Sequence, residues 1–271
     1  AQLMESSLSG QIGKKHTKIN THMKETKNKL LLIDGDIILY KSASASEQEV
    51  RWDDDTWTLQ TNMVEAKAEV DRHITSITKA LSSKNIKVFF SPSRTFRHQL
   101  CSTYKANRKG KRKPLGMSEL KEWMMKEYDS ELYPSIEADD AIGIWATEDP
   151  ENRVAVSIDK DFATLPITLY NPDKDVLRVI SKEEASHFHL VQSLMGDSTD
   201  GFGGLKGCGP MTAKKLLEKN GATWQTVVDA YEAKGFTKDD ALLTARLSHI
   251  LQDGDYDFDT CEVTLWTPTN A

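Results

Sequence analysis

Residues 136–161 read IEADDAIGIWATEDPENRVAVSIDKD. The stretch sets Glu137, Asp139 and Asp140 at the start of one element and Asp159 and Asp161 at the end of another. Ala138, Ala141, Ile142 and Trp145 fall at i, i+3, i+4 and i+7, the apolar stripe of a helix. Its acids occupy the first turn, where the helix dipole favours negative charge. Glu137 and Asp140, three apart, share a face. After the break at Asp149-Pro150-Glu151-Asn152, the run Val154-Ala155-Val156-Ser157-Ile158 is a β-branched, largely apolar strand. Asp159 and Asp161 follow at its carboxyl end, the side on which open α/β sheets hold ligands. Carboxylates converging from a helix start and a strand end point to a hard-cation site. Taken alone, the stretch also reads as an N-cap cluster followed by a solvated loop.

Outward from it, the pattern repeats. Lys29-Leu30-Leu31-Leu32-Ile33 is an apolar strand ending in Asp34-Gly35-Asp36, with a helix leaving through Ile37. Residues 47–60, with Trp52 and Trp57, read as a loop or hairpin, and 62–82 as a helix with Val64, Ala68, Ile74, Ile77 and Leu81 on its core face. Lys87-Val88-Phe89-Phe90 is a third strand, followed by a helix over 117–128. Strands alternating with helices predict a mostly parallel sheet with helices packed on it. Further on, 169–172 and 176–180 predict a strand and its hairpin partner. A helix over 181–196 is capped by Ser181 with Glu184 in the capping-box position. His187 and His189 lie in that helix at a spacing wrong for joint ligation and are read as surface or structural residues. The helices over 224–233 and 238–251 are read as packing elements.

Charge is uneven along the chain. With 271 residues, 38% hydrophobic and 28% charged, the chain reads as a soluble globular protein, long enough for one sizeable α/β domain or for one domain plus a helical appendage. No apolar run approaches the roughly 20 residues of a spanning helix, so no membrane is expected. Three cysteines without metal-ligand spacing are expected as free thiols in a reducing, cytoplasmic compartment. The net charge is −6, yet residues 94–113 carry eight Lys or Arg and no acid. Neutralising nine site carboxylates with cations would turn −6 into +3. The run from Lys109 to Gly116, with Lys111, Arg112, Lys113 and Pro114, is either a solvated charge run or, as its place after a strand favours, a phosphate-contacting arch.

A second acidic pair, Asp197 and Asp200, closes the 181–196 helix, and Gly207-Cys208-Gly209-Pro210 then opens another helix carrying Thr212, Lys214 and Lys215. A glycine turn feeding a helix with Pro in its first turn offers backbone N–H groups to phosphate.

Six motifs occur here in order: Asp34-Gly35-Asp36, Tyr104-Lys105-Ala106-Asn107-Arg108, Glu137-Ala138-Asp139-Asp140, Asp159-Lys160-Asp161, Met195-Gly196-Asp197-Ser198-Thr199-Asp200 and the turn from Gly207 to Ala213. With them the chain resembles the 5′ nuclease (flap endonuclease) superfamily over roughly residues 30–266, most closely its short phage members acting as 5′→3′ exonucleases. The resemblance implies a PIN-like α/β fold, a mostly parallel sheet flanked by helices, with a helical arch over 94–127 and a helix-turn-helix module gripping duplex DNA. The implied organisation is a tail over 1–28, disordered or weakly helical, a nuclease core over 29–193, and a duplex-binding helical region over 194–271.

Two Mg²⁺ or Mn²⁺ ions are implied. One would sit on Asp34, Glu137, Asp139 and Asp140, the other on Asp159, Asp161, Asp197 and Asp200, with Asp36 beside them. Lys105 and Arg108 would steer the scissile phosphate. DNA contacts are expected from Arg94, Arg97, Tyr104, Lys109, Lys111, Arg112 and Lys113, and from Gly207, Gly209, Thr212, Lys214 and Lys215, with K⁺ at the Gly207–Gly209 turn. The expected partner is duplex DNA with a 5′ end or flap, or an RNA–DNA hybrid, in the cytoplasm of the host if the gene is phage-borne. An all-oxygen ligand set without His or Cys suits Mg²⁺ or Mn²⁺, and a pair of such ions performs in-line phosphodiester hydrolysis. One departure stands out. Where the family carries an aspartate after the third strand, this chain has Ser91-Pro92-Ser93. The alternatives are a DNA-binding member with impaired turnover and a PIN-type ribonuclease.

Overall fold

In the computed structural model, which describes residues 26–268, Leu30–Asp34 forms the central strand β1. Its side chains alternate between two cores. Leu31 and Ile33 pack with the helices α1 (Gly35–Ala45), α2 (Met63–Ala80) and α4 (Met117–Glu127). Leu32 faces the opposite layer, built on α5 (Ala138–Glu148). All three are essentially inaccessible to water, each contributing roughly 1.5–3 kcal/mol by burial. A strand covered on both faces reads as a continuous apolar run.

The strands β4 (Ile86–Phe89), β5 (Ser130–Glu131), β6 (Arg153–Val156), β7 (Thr168–Asn171) and β8 (Val176–Val179) complete a sheet of order β5-β4-β1-β6-β7-β8. All neighbouring pairs are parallel except β7–β8. The chain builds outward from β1 through β4 to β5, then crosses to β6 on the other side. The carboxyl ends of β1 and β6 therefore flank a topological switch point, where such sheets open a crevice. Between α1 and α2, residues 47–61 form an antiparallel hairpin, β2 (Glu47–Arg51) and β3 (Trp57–Thr61).

A third core belongs to α6 (Lys182–Met195), α7 (Pro210–Asn220), α8 (Trp224–Glu232) and α9 (Lys238–Ser248). Ser181 caps α6 and accepts from the Glu184 N–H, while His189 is buried with a ring nitrogen 2.9 Å from the Ala245 carbonyl. Between the two helices expected to flank the glycine turn, the structure adds one element. A two-stranded ribbon, β9 (Gly196–Asp197) with β10 (Phe202–Gly203), lies between α6 and the Gly207 turn. A core boundary after residue 193 also divides α6, whose Val191 and Leu194 pack in the third core. The expectation for the tail, where it concerns residues 1–25, lies outside the described residues. Thr26 is buried, its hydroxyl donating to the Leu81 carbonyl, so order begins before residue 28. No helix among the described residues is long and apolar enough to cross a membrane.

Gly35, first residue of α1, lets that helix leave β1 against β4. A Cβ there would lie 2.7 Å from both Phe90 and Val88 side chains and 2.8 Å from the Phe89 carbonyl oxygen. Gly35→Ala is expected to lower the unfolding free energy by about 1–3 kcal/mol, whereas Gly209→Ala, which meets open space, should leave it unchanged. Urea titrations of the two variants compare them, and equal stabilities would refute this packing account.

Candidate metal centre and nucleic-acid interface

Three helix starts, each capped by an acid, deliver carboxylates to the crevice. Asp34 caps α1 and accepts from the Ile37 N–H at 3.3 Å. Asp159 caps the 3₁₀ turn Lys160–Thr164 and accepts from the Asp161 N–H at 2.9 Å. Glu137 caps α5 in a capping box with Asp140. Caps satisfy otherwise unpartnered backbone donors and place negative charge on the positive end of the helix dipole. Ser157, one residue past β6, holds the first two together: its hydroxyl lies 3.2 Å from Asp34 Oδ2 and accepts from the Asp159 N–H.

The fourth contribution comes from the loop joining β9 and β10, clasped by residues 104–108. Lys105 N–H donates to the Asp200 carbonyl at 2.6 Å, and Asn107 Nδ2 donates to the carbonyls of Ser198 and Thr199. The Tyr104 hydroxyl reaches Glu137 Oε2 at 2.9 Å and Asp200 Oδ2 at 3.3 Å. Lys105 Nζ lies 2.6 Å from Glu137 Oε1, and Arg108 pairs with Asp200. Every side chain of that motif except Ala106 is thus engaged with the acids or with the loop that carries them. Lys160 Nζ bridges Asp161 and Asp197, 3.1 Å from each.

The acids disturb one another. Burial, then the neighbouring carboxylates of Asp36 and Asp159, pushes Asp34 up to about 7. Burial, then Asp159, raises Asp161 to about 6, with Asp197 adding to the effect. Asp139 is pushed well above the usual carboxylate range by desolvation and by Asp140 and Glu137. Glu137 goes the other way: burial would raise it, but Arg97 and Lys105 hold it below the ordinary value. Burial of Asp197 is likewise outweighed by Lys160. Mutual repulsion of this kind marks a place where positive charge is short. Asp139, Asp161, Asp197 and Asp200 also line one opening of about 20 Å³, room for a water or a bare ion. The donors are all carboxylate oxygens, a set that fits Mg²⁺ or Mn²⁺.

Some expected roles do not survive the geometry. One oxygen each of Glu137, Asp139 and Asp140 falls within a 4.8 Å group, but Asp140 is fully buried and accepts four hydrogen bonds. Two come from Arg97 and one each from the Glu137 and Leu251 N–H groups. No lone pair remains for a cation. Arg97, expected on DNA, is 2% exposed and lies inside the protein. Tyr104 is buried too, its hydroxyl spent on the site acids rather than on a surface. Arg112 is exposed but forms a two-pronged pair with Glu47 of β2 at 2.5 and 2.8 Å. Arg94, Arg108, Lys109, Lys111 and Lys113 are exposed, as are Thr212, Lys214 and Lys215 on α7. No side chain caps α7 at Gly209, and both Gly207 and Gly209 face open space.

Gln192 is the residue sequence reasoning missed. From α6 its Nε2 donates to Asp161 Oδ1 at 2.6 Å, and its Oε1 is buried without a partner among the described residues. A glutamine amid the apolar Val191 and Leu194 was the available signal. At the missing aspartate, the Ser91 N–H donates to Asp36 Oδ2 at 2.9 Å and the Ser91 hydroxyl accepts from the Ala138 N–H.

The model of the 5′–3′ exonuclease N-terminal resolvase-like domain matches residues 29–198. An exonuclease of Escherichia phage T7 is 27% identical over 283 residues, covering 88% of this chain and 93% of that protein. The flap endonuclease Xni of a Shewanella species is 27% identical over 206 residues, covering 70% of this chain and 74% of that protein. Among solved structures, the bacteriophage T5 D15 flap endonuclease in a pseudo-enzyme-product complex with DNA and metal ions aligns with TM-score 0.60 at 15% identity. That match covers 81% of this chain and 88% of that one, a likeness of fold.

Because folding raises the Asp34 pKa from 3.8 to about 7, the folded state binds the extra proton between those values. This stabilisation is fully present below about pH 4 and is lost as pH rises through about 7. In chelator, Asp34→Asn should therefore gain on the wild type by on the order of 2 kcal/mol between about pH 5 and pH 8. Added Mg²⁺ should reverse the gain. Thermal unfolding across that range tests it, and a pH-independent difference would rule it out.

Proposed function

The chain belongs to the 5′→3′ exonuclease family, whose N-terminal resolvase-like domain spans residues 29–198, and on that premise we propose that its acid cluster is a two-cation centre cutting DNA from a 5′ end. It is a metal-dependent 5′→3′ nuclease, with flap endonucleases among its relatives. One observation carries the assignment of the centre. Asp139, Asp161, Asp197 and Asp200 line a single opening, with Glu137 joined to them through Tyr104, and Asp34 through Ser157 and Asp159.

In this reading Asp34, Glu137 and Asp139 hold one Mg²⁺ or Mn²⁺, and Asp159, Asp161, Asp197 and Asp200 hold the other. Bound there, the cations supply a water activated for attack and stabilise the leaving oxygen. The protein's own residues do the rest. Lys105 stays charged beside Glu137, since the site acids outweigh its burial, and with Arg108 it receives the scissile phosphate. The Tyr104 hydroxyl, kept protonated by burial and the acids around it, orients Glu137 by donating to it. Ser157 and Gln192 fix Asp34 and Asp161 in the same manner. Arg94, Lys109, Lys111 and Lys113 meet DNA phosphates above the strand ends. The Gly207–Gly209 turn with Thr212, Lys214 and Lys215 takes duplex phosphates on the uncapped start of α7, with K⁺ at the turn.

The core then spans residues 29–193 and the duplex grip 194–271, α6 being shared between them. RNA–DNA hybrid is a second substrate, and the free thiols Cys101, Cys208 and Cys261 suit a reducing cytoplasm. The reading of an impaired DNA-binding protein rested on Ser91-Pro92. Asp36 stands against that position and restores a carboxylate to it.

Asp159→Ala with Asp161→Ala should lower Mg²⁺-dependent release of nucleotides from a blunt duplex by at least about a thousandfold while duplex affinity in Ca²⁺ stays within a few-fold. Wild-type rates in the double variant would sink the assignment. Replacing Lys109, Lys111, Arg112 and Lys113 by Ala should flatten the log–log salt dependence of binding by about 0.9 for each phosphate no longer neutralised. The Glu47 partner makes Arg112 the smallest contributor. An unchanged slope would mean that the run is a solvated surface.

A further inference from the structure

We propose that Arg97 and Asp140 form a positioning clasp that sets the acid-bearing start of α5 in register with the segment leaving α9. Duplex held on the C-terminal helices then meets the carboxylates at a fixed distance. The inference rests on the nuclease reading above and concerns two residues whose sequence pattern had pointed to DNA and to a cation.

Arg97 lies on the short helix α3 (Phe96–Leu100), from which the chain runs on to Lys105 and Arg108. Its Nη1 and Nη2 reach both oxygens of Asp140, at 2.6 and 2.7 Å. Its Nη2 also donates to the His249 carbonyl at 2.6 Å and its Nε to the Leu247 carbonyl at 3.0 Å. Asp140 completes the circuit by accepting from the Leu251 N–H at 3.1 Å and the Glu137 N–H at 3.0 Å. Three segments thus meet on one ion pair, and each carries part of the site. The α3 segment leads to the phosphate-steering cations, α5 begins with Glu137 and Asp139, and 247–251 continues α9. That helix is tied to the β9–β10 ribbon bearing Asp197 and Asp200: Leu247 packs with Tyr104 and Phe202, and the Thr244 hydroxyl donates to the Gly203 carbonyl.

A second feature fixes the same junction independently. Gly143 of α5 approaches 250–251 so closely that a Cβ there would overlap the Leu251 carbonyl oxygen.

Adhesion alone does not call for ions. A buried salt bridge is often matched or bettered in stability by an apolar pair of similar volume. What the two-pronged guanidinium–carboxylate pair adds is direction, because its planar fork fits in one orientation. The saturated oxygens of Asp140 exclude the ligand role, and the burial of Arg97 excludes contact with DNA. Both residues act through Glu137 and the α9 segment.

The test uses the full chain, with Arg97→Lys, Asp140→Asn, their combination, and an apolar pair, Arg97→Met with Asp140→Leu. Four quantities are read: melting temperature, duplex affinity in Ca²⁺, Mn²⁺ affinity by electron paramagnetic resonance, and single-turnover cleavage. The clasp predicts that each single variant loses at least tenfold in cleavage rate and that combining them loses no more. Duplex and Mn²⁺ affinities should stay within about threefold. The apolar pair should melt near the wild type and remain slow. Loss of Mn²⁺ affinity in Asp140→Asn but not in Arg97→Lys would make Asp140 a ligand and overturn the clasp. Wild-type cleavage in a folded apolar pair, or rate losses that follow loss of folded protein in every variant, would reduce the pair to adhesion and overturn it equally. A wild-type chain that cuts no DNA would instead refute the nuclease reading.

Discussion

Carboxylates gathered in one crevice repel one another, and the rest of this molecule is arranged around holding them there. Asp34 and Asp161 are pushed up to about 7 and about 6 by burial and by each other's neighbours. Side chains left free would turn apart into water. They do not, because each is held by a hydrogen-bonding partner. Backbone N–H groups hold Asp34, Asp159 and Asp197, a glutamine holds Asp161, and a tyrosine hydroxyl holds Glu137 and Asp200. These neutral donors fix the geometry, and Lys105, Arg108 and Lys160 offset part of the negative charge.

The sheet makes this possible at low cost in local strain. β1 and β6 are buried on both faces, so their carboxyl ends are rigid and adjacent. The chain enters a helical turn directly after β1 and within a few residues of β6, and an acid at each junction caps it. Asp34 therefore both ends a strand and starts a helix at the switch-point crevice, and Asp159 starts its turn three residues past the end of β6. Capping, dipole and ligation ask for the same residue type at the same place.

The basic stretch 94–113 is divided among four arrangements that charge alone does not distinguish. Arg97 is interior, closing a circuit with Asp140 and the segment after α9. Lys105 and Arg108 stand against the acids as counter-charges. Lys109, Lys111 and Lys113 project into solvent. Arg112 rests on Glu47, so the β2–β3 hairpin braces the exposed loop from the side.

Local pattern determined a great deal of this protein. Strand runs with an acid at the carboxyl end, the helical stripe of Ala138, Ala141, Ile142 and Trp145, the Ser181 cap and the six ordered motifs are properties of contiguous residues. Periodicity and capping are short-range physics, and they were enough for the α/β layers. What contiguous residues do not encode is which partner a charged side chain meets across more than a hundred positions. Asp140 differs from Asp139 only by facing Arg97 and the Leu251 N–H, and Arg97 differs from Arg94 only by lying under the Leu247 and His249 carbonyls. Gln192 became part of the site because α6 passes the turn after β6. Those distinctions arise from packing of α3, α5, α6 and the end of α9 on one another. The tertiary structure alone decided which of these charges gather at the crevice, which project into solvent and which are buried against one another.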